Sequence, residues 1–261
     1  DTVYSIRQSL AASSNIALAQ IVTNGYEGSA KKFIRKLERM GLCDSVDYII
    51  PGADQAQILL PDDTVTISKM AYGYSVELSP LQMVMLYNSI ANDGKLITPV
   101  LVSRVEKDGE VLEEYESKVL RNSICSNSTL RDIRLCLHDV VWDNDLGTAS
   151  VYKWKGHIAK YKAQSSIVPI AGKTGTAQVL ENGRYLSNKH RMSFVGYFPE
   201  DDPQYTCICV IHAPKNKGLY DAGMDCGSVV RHIAEKTMAY SNEYVIEDNQ
   251  LVFQPRKNNE Q

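Results

Sequence analysis

Lys173-Thr174-Gly175-Thr176, preceded by Ala171-Gly172, combines a fixed cation, two hydroxyls and a residue without a side chain in four positions. A phosphate-binding loop is the first chemistry to test, because Gly172-Lys173-Thr174 could close such a motif. That motif needs a glycine five positions before Gly172, where Ile167 stands, and a helix after the threonine. Instead Ala177-Gln178-Val179-Leu180 continues the strand pattern of residues 167–180, so the phosphate-loop reading fails. A strand edge offers unpaired N–H and C=O groups to an extended peptide, and Gly175 allows another backbone to approach closely. Lys173 supplies positive charge, and the hydroxyls of Thr174 and Thr176 can hold a carboxylate. The combination suits the C-terminus of a peptide. The plainer alternative is an exposed lysine and a glycine bulge on an edge strand.

Ser13-Ser14-Asn15 forms a second polar cluster between SIRQSLAA and IALAQIV. Residues two apart on a continuous helix point in different directions, so Ser13 and Asn15 can act together only if a turn interrupts the helix. The competing reading is a helix N-cap, for which Ser and Asn are preferred. Cys207-Ile208-Cys209 followed by His212 invites a metal reading. The surrounding YTCICVIHAP reads as a buried strand in which cysteine is a small hydrophobe, so no metal or other cofactor is expected. The five histidines show no H-x-x-x-H pair, and each is assigned a structural role.

The elements that must position these residues follow from the pattern. The chain has 261 residues, 28 Lys+Arg against 31 Asp+Glu and 44% hydrophobic residues, an ordinary globular composition with enough length for a substantial core. A net charge of −3 gives no electrostatic case for nucleic acid. No apolar run reaches the roughly eighteen residues that span a bilayer, and DTVYSIRQ lacks the layout of a secretory signal, so the chain itself is expected to be soluble. Six scattered cysteines do not form a small-domain disulfide framework. Ile16, Ala19, Gln20 and Thr23 continue a helix, and Phe33, Ile34, Leu37 and Met40 mark another that Gly41 stops. A third runs from Pro80 to Ile90 before Asn92-Asp93-Gly94, and a fourth over 129–142 carries Ile133, Leu137 and Val140 on one face. Residues 101–112 form a hairpin around Asp108-Gly109. Strands over 167–180, 192–198 and 205–212, joined by short connections through Glu181-Asn182-Gly183 and 199–203, form an antiparallel meander. A closing helix over 229–240 presents Val230, Ile233, Ala234 and Thr237 to that sheet. The class is α+β, an antiparallel sheet flanked by helices.

Taken in order, these motifs resemble the second and third of the penicillin-recognising serine enzymes, S-x-x-K, then S-D-N or a relative, then K-T-G. Tyr72-Gly73-Tyr74 with Ser79-Pro80-Leu81-Gln82, residues 87–95 (YNSIANDGK), Val140-Val141 with Gly147-Thr148-Ala149, residues 171–178 (AGKTGTAQ) and residues 193–199 (SFVGYFP) extend the likeness. Together they resemble the transpeptidase domain of class B penicillin-binding proteins, closest to the cell-division type, over residues 1–240, with 241–261 as a polar tail. The resemblance implies a transpeptidase / serine β-lactamase-like fold and a D,D-transpeptidase that cross-links peptidoglycan stem peptides ending in D-Ala-D-Ala. β-Lactams are then inhibitors and cell-division membrane proteins are partners. It also implies a parent with an N-terminal transmembrane anchor, acting on the extracytoplasmic (periplasmic) face of the membrane. Carried onto matching positions, it makes Ser13 a proton relay, Asn15 a hydrogen-bonding partner of the donor's acyl-side amide, and Lys173 the group that holds Ser13 in place. Thr174 and Thr176 bind the terminal carboxylate, the Thr176 N–H is one oxyanion-hole donor, and Gly175 and Gln178 complete the substrate edge.

The family's S-x-x-K, source of the nucleophilic serine and its activating lysine, is expected upstream of Ser13, where only twelve residues stand and none fits. Ser29-Ala30-Lys31-Lys32 matches literally but follows the second motif and opens a helix, so a capping serine with solvated lysines is the reading adopted. The chain is therefore expected to be the C-terminal part of a transpeptidase domain, with an unprotected sheet face or edge, and inactive alone. A second departure is Tyr220-Asp221-Ala222-Gly223-Met224-Asp225 where the family has a glycine-rich approach to the last helix. Competing readings are a serine β-lactamase or β-lactam sensor on the same fold, and a non-catalytic scaffold of the division complex. The tail, with Val245, Ile246, Leu251, Val252 and Phe253 among charges, can form a small hairpin or dock on a partner.

Overall fold

The computed structural model describes residues 3–45, 57–58, 63–181, 184–214, 221–241, 244–247 and 250–253. In chain order the helices are α1 (Ile6–Ala11), α2 (Asn15–Gly25), α3 (Ala30–Arg39), α4 (Thr64–Met70), α5 (Pro80–Ala91), α6 (Asn127–Trp142) and α7 (Ser228–Tyr240), with one π-helical turn, Gly223–Gly227, leading into α7. The strands are β1 (Gln57–Ile58), β2 (Val76–Glu77), β3 (Leu96–Ile97), β4 (Arg104–Lys107), β5 (Glu110–Glu114), β6 (Val119–Arg121), β7 (Val151–Trp154), β8 (His157–Tyr161), β9 (Ala171–Glu181), β10 (Arg184–Phe198), β11 (Tyr205–His212), β12 (Tyr244–Glu247) and β13 (Gln250–Phe253). They fall into two compact units, one formed by Asp1–Ser14 with Ile133–Gln261 and the other by Asn15–Asp132.

The first unit is built on a three-stranded antiparallel sheet in the order β11-β10-β9. This is the expected meander, with two changes. β9 starts at Ala171 rather than 167, and β10 starts at Arg184 rather than 192, crossing an irregularity between Leu186 and His190. The turn at 182–183 lies outside the described residues. Phe194, Met192 and Phe198 of β10 are buried with Val140 and Val141 of α6 and with Val230, Ala234 and Met238 of α7. The α7 face is thus the four-residue repeat 230/234/238, and Ile233, expected on it, is 41% exposed. One helical turn places Met238 rather than Thr237 above Ala234, and the flexible thioether fills the space. β7 and β8 form a hairpin with Lys155 and Gly156 both at positive φ, a two-residue turn of the kind that matches strand twist.

In the second unit the helix ends agree with the sequence reading. Ser79 and Gln82 make a reciprocal capping box with Pro80 at the first helical position of α5. α3 ends where Gly41 enters the left-handed region, with the Leu42 N–H returning to the Leu37 carbonyl. The 101–112 expectation resolves into β4 and β5, joined through Asp108 and Gly109 at φ 53° and 83°. In the tail of the first unit, β12 and β13 pair antiparallel.

Candidate active site

Ser13 owes its position to the way α1 stops. Ser5 and Gln8 cap the helix reciprocally, and Arg7 grips Asp139 of α6 through Nε and Nη2 at 2.7 and 2.6 Å. Six residues later the chain leaves the helix. The Ser13 N–H donates to the Leu10 carbonyl (3.1 Å), the Ser14 N–H to the Ser9 carbonyl (2.9 Å), and Ser13 adopts φ 51°. A left-handed serine is uncommon, and its cost is met here by closing the end of α1. The turn required for Ser13 to leave a continuous helix is therefore present. Asn15 opens α2 and is the first residue of the second unit.

Lys173 approaches from β9, an edge strand of the sheet among the described residues. Its Nζ donates to Ser13 Oγ at 2.8 Å, to the Thr174 carbonyl at 3.0 Å and to Thr174 Oγ1 at 3.3 Å. Burial without a carboxylate among these partners pulls the ammonium down to about 8 from the ordinary lysine value. It stays mainly protonated at neutral pH, but within reach of a proton transfer. Ser13 and Lys173, separated by 160 positions in sequence, thus meet as a hydroxyl–ammonium pair.

The register sets Thr174 opposite Phe194 and Thr176 opposite Met192, while Lys173 and Gly175 lie opposite Val195 and Ser193 on the other face. Thr176 is exposed and Gln178 partly so, further along the Thr174 face. Among the described residues no strand pairs with the outer edge of β9, so main-chain groups there face outward. Gly175 packs closely against the neighbouring strand. A Cβ there would stand 2.6 Å from Ser193 Oγ.

Several residues of this neighbourhood had no role in the sequence reading. Thr148 Oγ1 lies 2.7 Å from Thr174 Oγ1, and the Thr148 N–H donates to the Ala11 carbonyl at 3.2 Å. Lys162 Nζ donates to the Thr148 carbonyl at 3.1 Å and pairs with Asp221 at 2.8 Å. Gly223 closes on the same carbonyl so tightly that a Cβ would sit 2.4 Å from the oxygen. Gly147-Thr148-Ala149 was visible as a motif, but Thr148 meets Ala11, Lys162, Thr174 and Gly223, and no local spacing reveals those contacts. Residues 215–220, part of the departure near the last helix, lie outside the described residues, whereas Asp221 and Gly223 are the ones that brace Thr148.

The remaining candidates have ordinary explanations. Ser29 caps α3 by accepting from the Lys32 N–H, and Lys32 pairs with Glu27. Cys207 and Cys209 are half-buried rather than buried, on an edge strand packed against the core, and His212 Nδ1 accepts from Arg191 Nε. His138 stacks on Trp142 and pairs with Glu200 at 2.7 Å, and the hydrogen bond to that carboxylate raises its pKa above the ordinary histidine value.

The profile of the penicillin binding protein transpeptidase domain matches residues 1–238, and the chain belongs to that family. Among curated relatives, the penicillin-binding protein PbpB of Mycolicibacterium smegmatis is 28% identical over 210 residues, covering 78% of this chain and 31% of the relative. The stage V sporulation protein D of Bacillus subtilis is 26% identical over 189 residues, covering 72% of this chain and 25% of the relative. The chain thus spans a third or less of the length of these curated relatives. Penicillin-binding protein 2X of Streptococcus thermophilus superposes with a TM-score of 0.75 at 20% identity, over 91% of this chain and 34% of that one. Penicillin binding protein 3 of Mycobacterium tuberculosis, solved with aztreonam, gives 0.72 at 21% identity, over 97% of this chain and 55% of that one. The transpeptidase / serine β-lactamase-like fold expected from the motifs is the fold of this chain.

Proposed function

We propose that this chain is the part of a peptidoglycan D,D-transpeptidase that carries the second and third motifs of the active site. The observation that carries the reading is the 2.8 Å bond between Lys173 Nζ and Ser13 Oγ, which joins the two motifs. On this reading a serine of an S-x-x-K segment in the longer protein attacks the D-Ala-D-Ala amide. D-Ala leaves, and an amine of a neighbouring stem peptide resolves the acyl-enzyme. Ser13 relays a proton to the leaving amine, and Lys173, poised near pH 8, holds that hydroxyl and supplies positive charge. Asn15 hydrogen-bonds the acyl-side amide of the donor. Thr174 and Thr176 receive the terminal carboxylate, Gly175 and Gln178 line the substrate strand, and the Thr176 N–H stabilises the oxyanion. β-Lactams enter as mimics of the same peptide. The longer protein acts on the extracytoplasmic face of the membrane, held by a transmembrane helix and working with division proteins.

Incubation with a fluorescent penicillin tests the proposal. The longer protein, with its S-x-x-K segment, takes up one label per molecule, and the 261-residue chain takes up none. An unlabelled longer protein, or a stoichiometric adduct on the 261-residue chain, contradicts it.

A further inference from the structure

A hydroxyl carries one proton and two acceptor lone pairs, which limits what Thr174 can do. Its Oγ1 already accepts from Lys173 at 3.3 Å and lies 2.7 Å from Thr148 Oγ1. If Thr174 gives its proton to Thr148, none remains for an incoming anion. If Thr148 is the donor, the Thr174 proton stays free. Thr148 itself is held at three points. Its N–H is tied to the carbonyl of Ala11, two residues before Ser13. Its carbonyl accepts from Lys162, which Asp221 fixes in turn. Gly223 lies against that carbonyl in a place no other residue can occupy without movement. The tether at Ala11 connects Thr148 to the Ser13 turn, and the hydroxyl contact connects it to the strand bearing Lys173.

We propose that Thr148 is a positioning residue that donates its hydroxyl proton to Thr174 Oγ1, so that Thr174 is held in one rotamer with its own O–H free to bind a substrate carboxylate. The carboxylate is the one assigned above, so this inference rests on the transpeptidase reading for its ligand, though not for the Thr148–Thr174 contact. Chains of this kind polarise along their length, so an anion beyond Thr174 strengthens the bond behind it. The flanking Lys162–Asp221 pair belongs to the support of Thr148 and does not reach the ligand.

The test has two arms. In the 261-residue chain with methyl-labelled threonine, three-bond couplings report the Thr174 χ1 rotamer. The wild type and Thr148→Ser give the couplings of a single rotamer. Thr148→Val and Thr148→Ala shift them toward the rotamer average, while those of Thr176 stay as in the wild type. Unchanged Thr174 couplings in both hydroxyl-free variants overturn the proposal. Collapse of the spectrum in both also overturns it, by assigning Thr148 to the core. In the longer protein, Thr148→Val raises the penicillin concentration for half-maximal acylation rate about tenfold with the limiting rate little changed, and Thr148→Ser restores it. A rise in neither parameter overturns the proposal. A wild-type longer protein that fails to acylate refutes the transpeptidase reading, while the rotamer arm still decides the role of Thr148.

Discussion

Lys173→Met keeps most of the lysine stem, removes its charge, and exposes the cost of holding an ammonium at this site. The folded-state value of about 8, against 10.5 for an ordinary lysine, means that the folded protein disfavours the charged form. The displacement corresponds to roughly 3 kcal/mol, reduced to about 2 by solvent at the partly exposed side chain. Below pH 8 both folded and unfolded chains carry the proton, so the wild type bears the full cost. Between pH 8 and 10.5 the folded form loses the proton while the unfolded form keeps it, and wild-type stability therefore rises with pH. The methionine variant has no such dependence. It loses one hydrogen bond to Ser13 and two to Thr174, together worth about 2–3 kcal/mol, so the two proteins differ by about 1 kcal/mol or less at pH 7. The wild type should then gain about 2 kcal/mol on the variant by pH 10.5. Urea denaturation at both pH values measures the difference. Trp142 and Trp154 both lie in the unit that contains Lys173, so their fluorescence reports that unit. Other groups titrating in this range occur in both proteins and cancel. A stability difference constant within about 0.5 kcal/mol from pH 7 to 10.5 would refute the assignment of a desolvated cation without a carboxylate partner.

Further outcomes follow from the same geometry. Gly223→Ala places a methyl group 2.4 Å from the Thr148 carbonyl oxygen and should lower stability by about 1–3 kcal/mol in the same denaturation assay. Ser13→Gly should keep the turn, since glycine adopts its φ of 51° freely. Ser13→Val should cost about 2 kcal/mol more, because a branched side chain is strained there. Glu200→Gln removes the partner that raises His138. The stabilisation that pair provides is full below the ordinary histidine value and fades as pH rises through the folded value, so the variant should lose more stability at pH 6 than at pH 9.

Much of the candidate site's local geometry was legible because residue chemistry and local structure coincide in it. KTGT reads as a strand edge whatever surrounds it, and Ser13-Ser14-Asn15 could only be functional if a turn broke the helix, which the backbone at Ser13 does. Helix ends with strong local signals, such as Ser79-Pro80 and Gly41, fall where the sequence places them. The β7–β8 hairpin was missed because Lys155-Gly156 is a weaker turn signal than Asp108-Gly109, although both adopt the same pair of positive φ angles. The rotation of α7 toward Met238 and away from Ile233 was decided by packing against β10, which no single helix records. Thr148 escaped for a related reason. Its role rests on contacts to Ala11, Lys162 and Thr174, residues far apart in the chain that only the tertiary fold brings together.

The pairing of Ser13 with Lys173 as catalytic machinery is tested most directly by the acylation rate of the longer protein with a fluorescent penicillin, comparing wild type with Lys173→Ala and Ser29→Ala. Loss of the ammonium should slow labelling by about a hundredfold or more, while removal of the α3 cap should leave the rate unchanged. Equal labelling of the wild type and Lys173→Ala, or loss of labelling in Ser29→Ala, would contradict it.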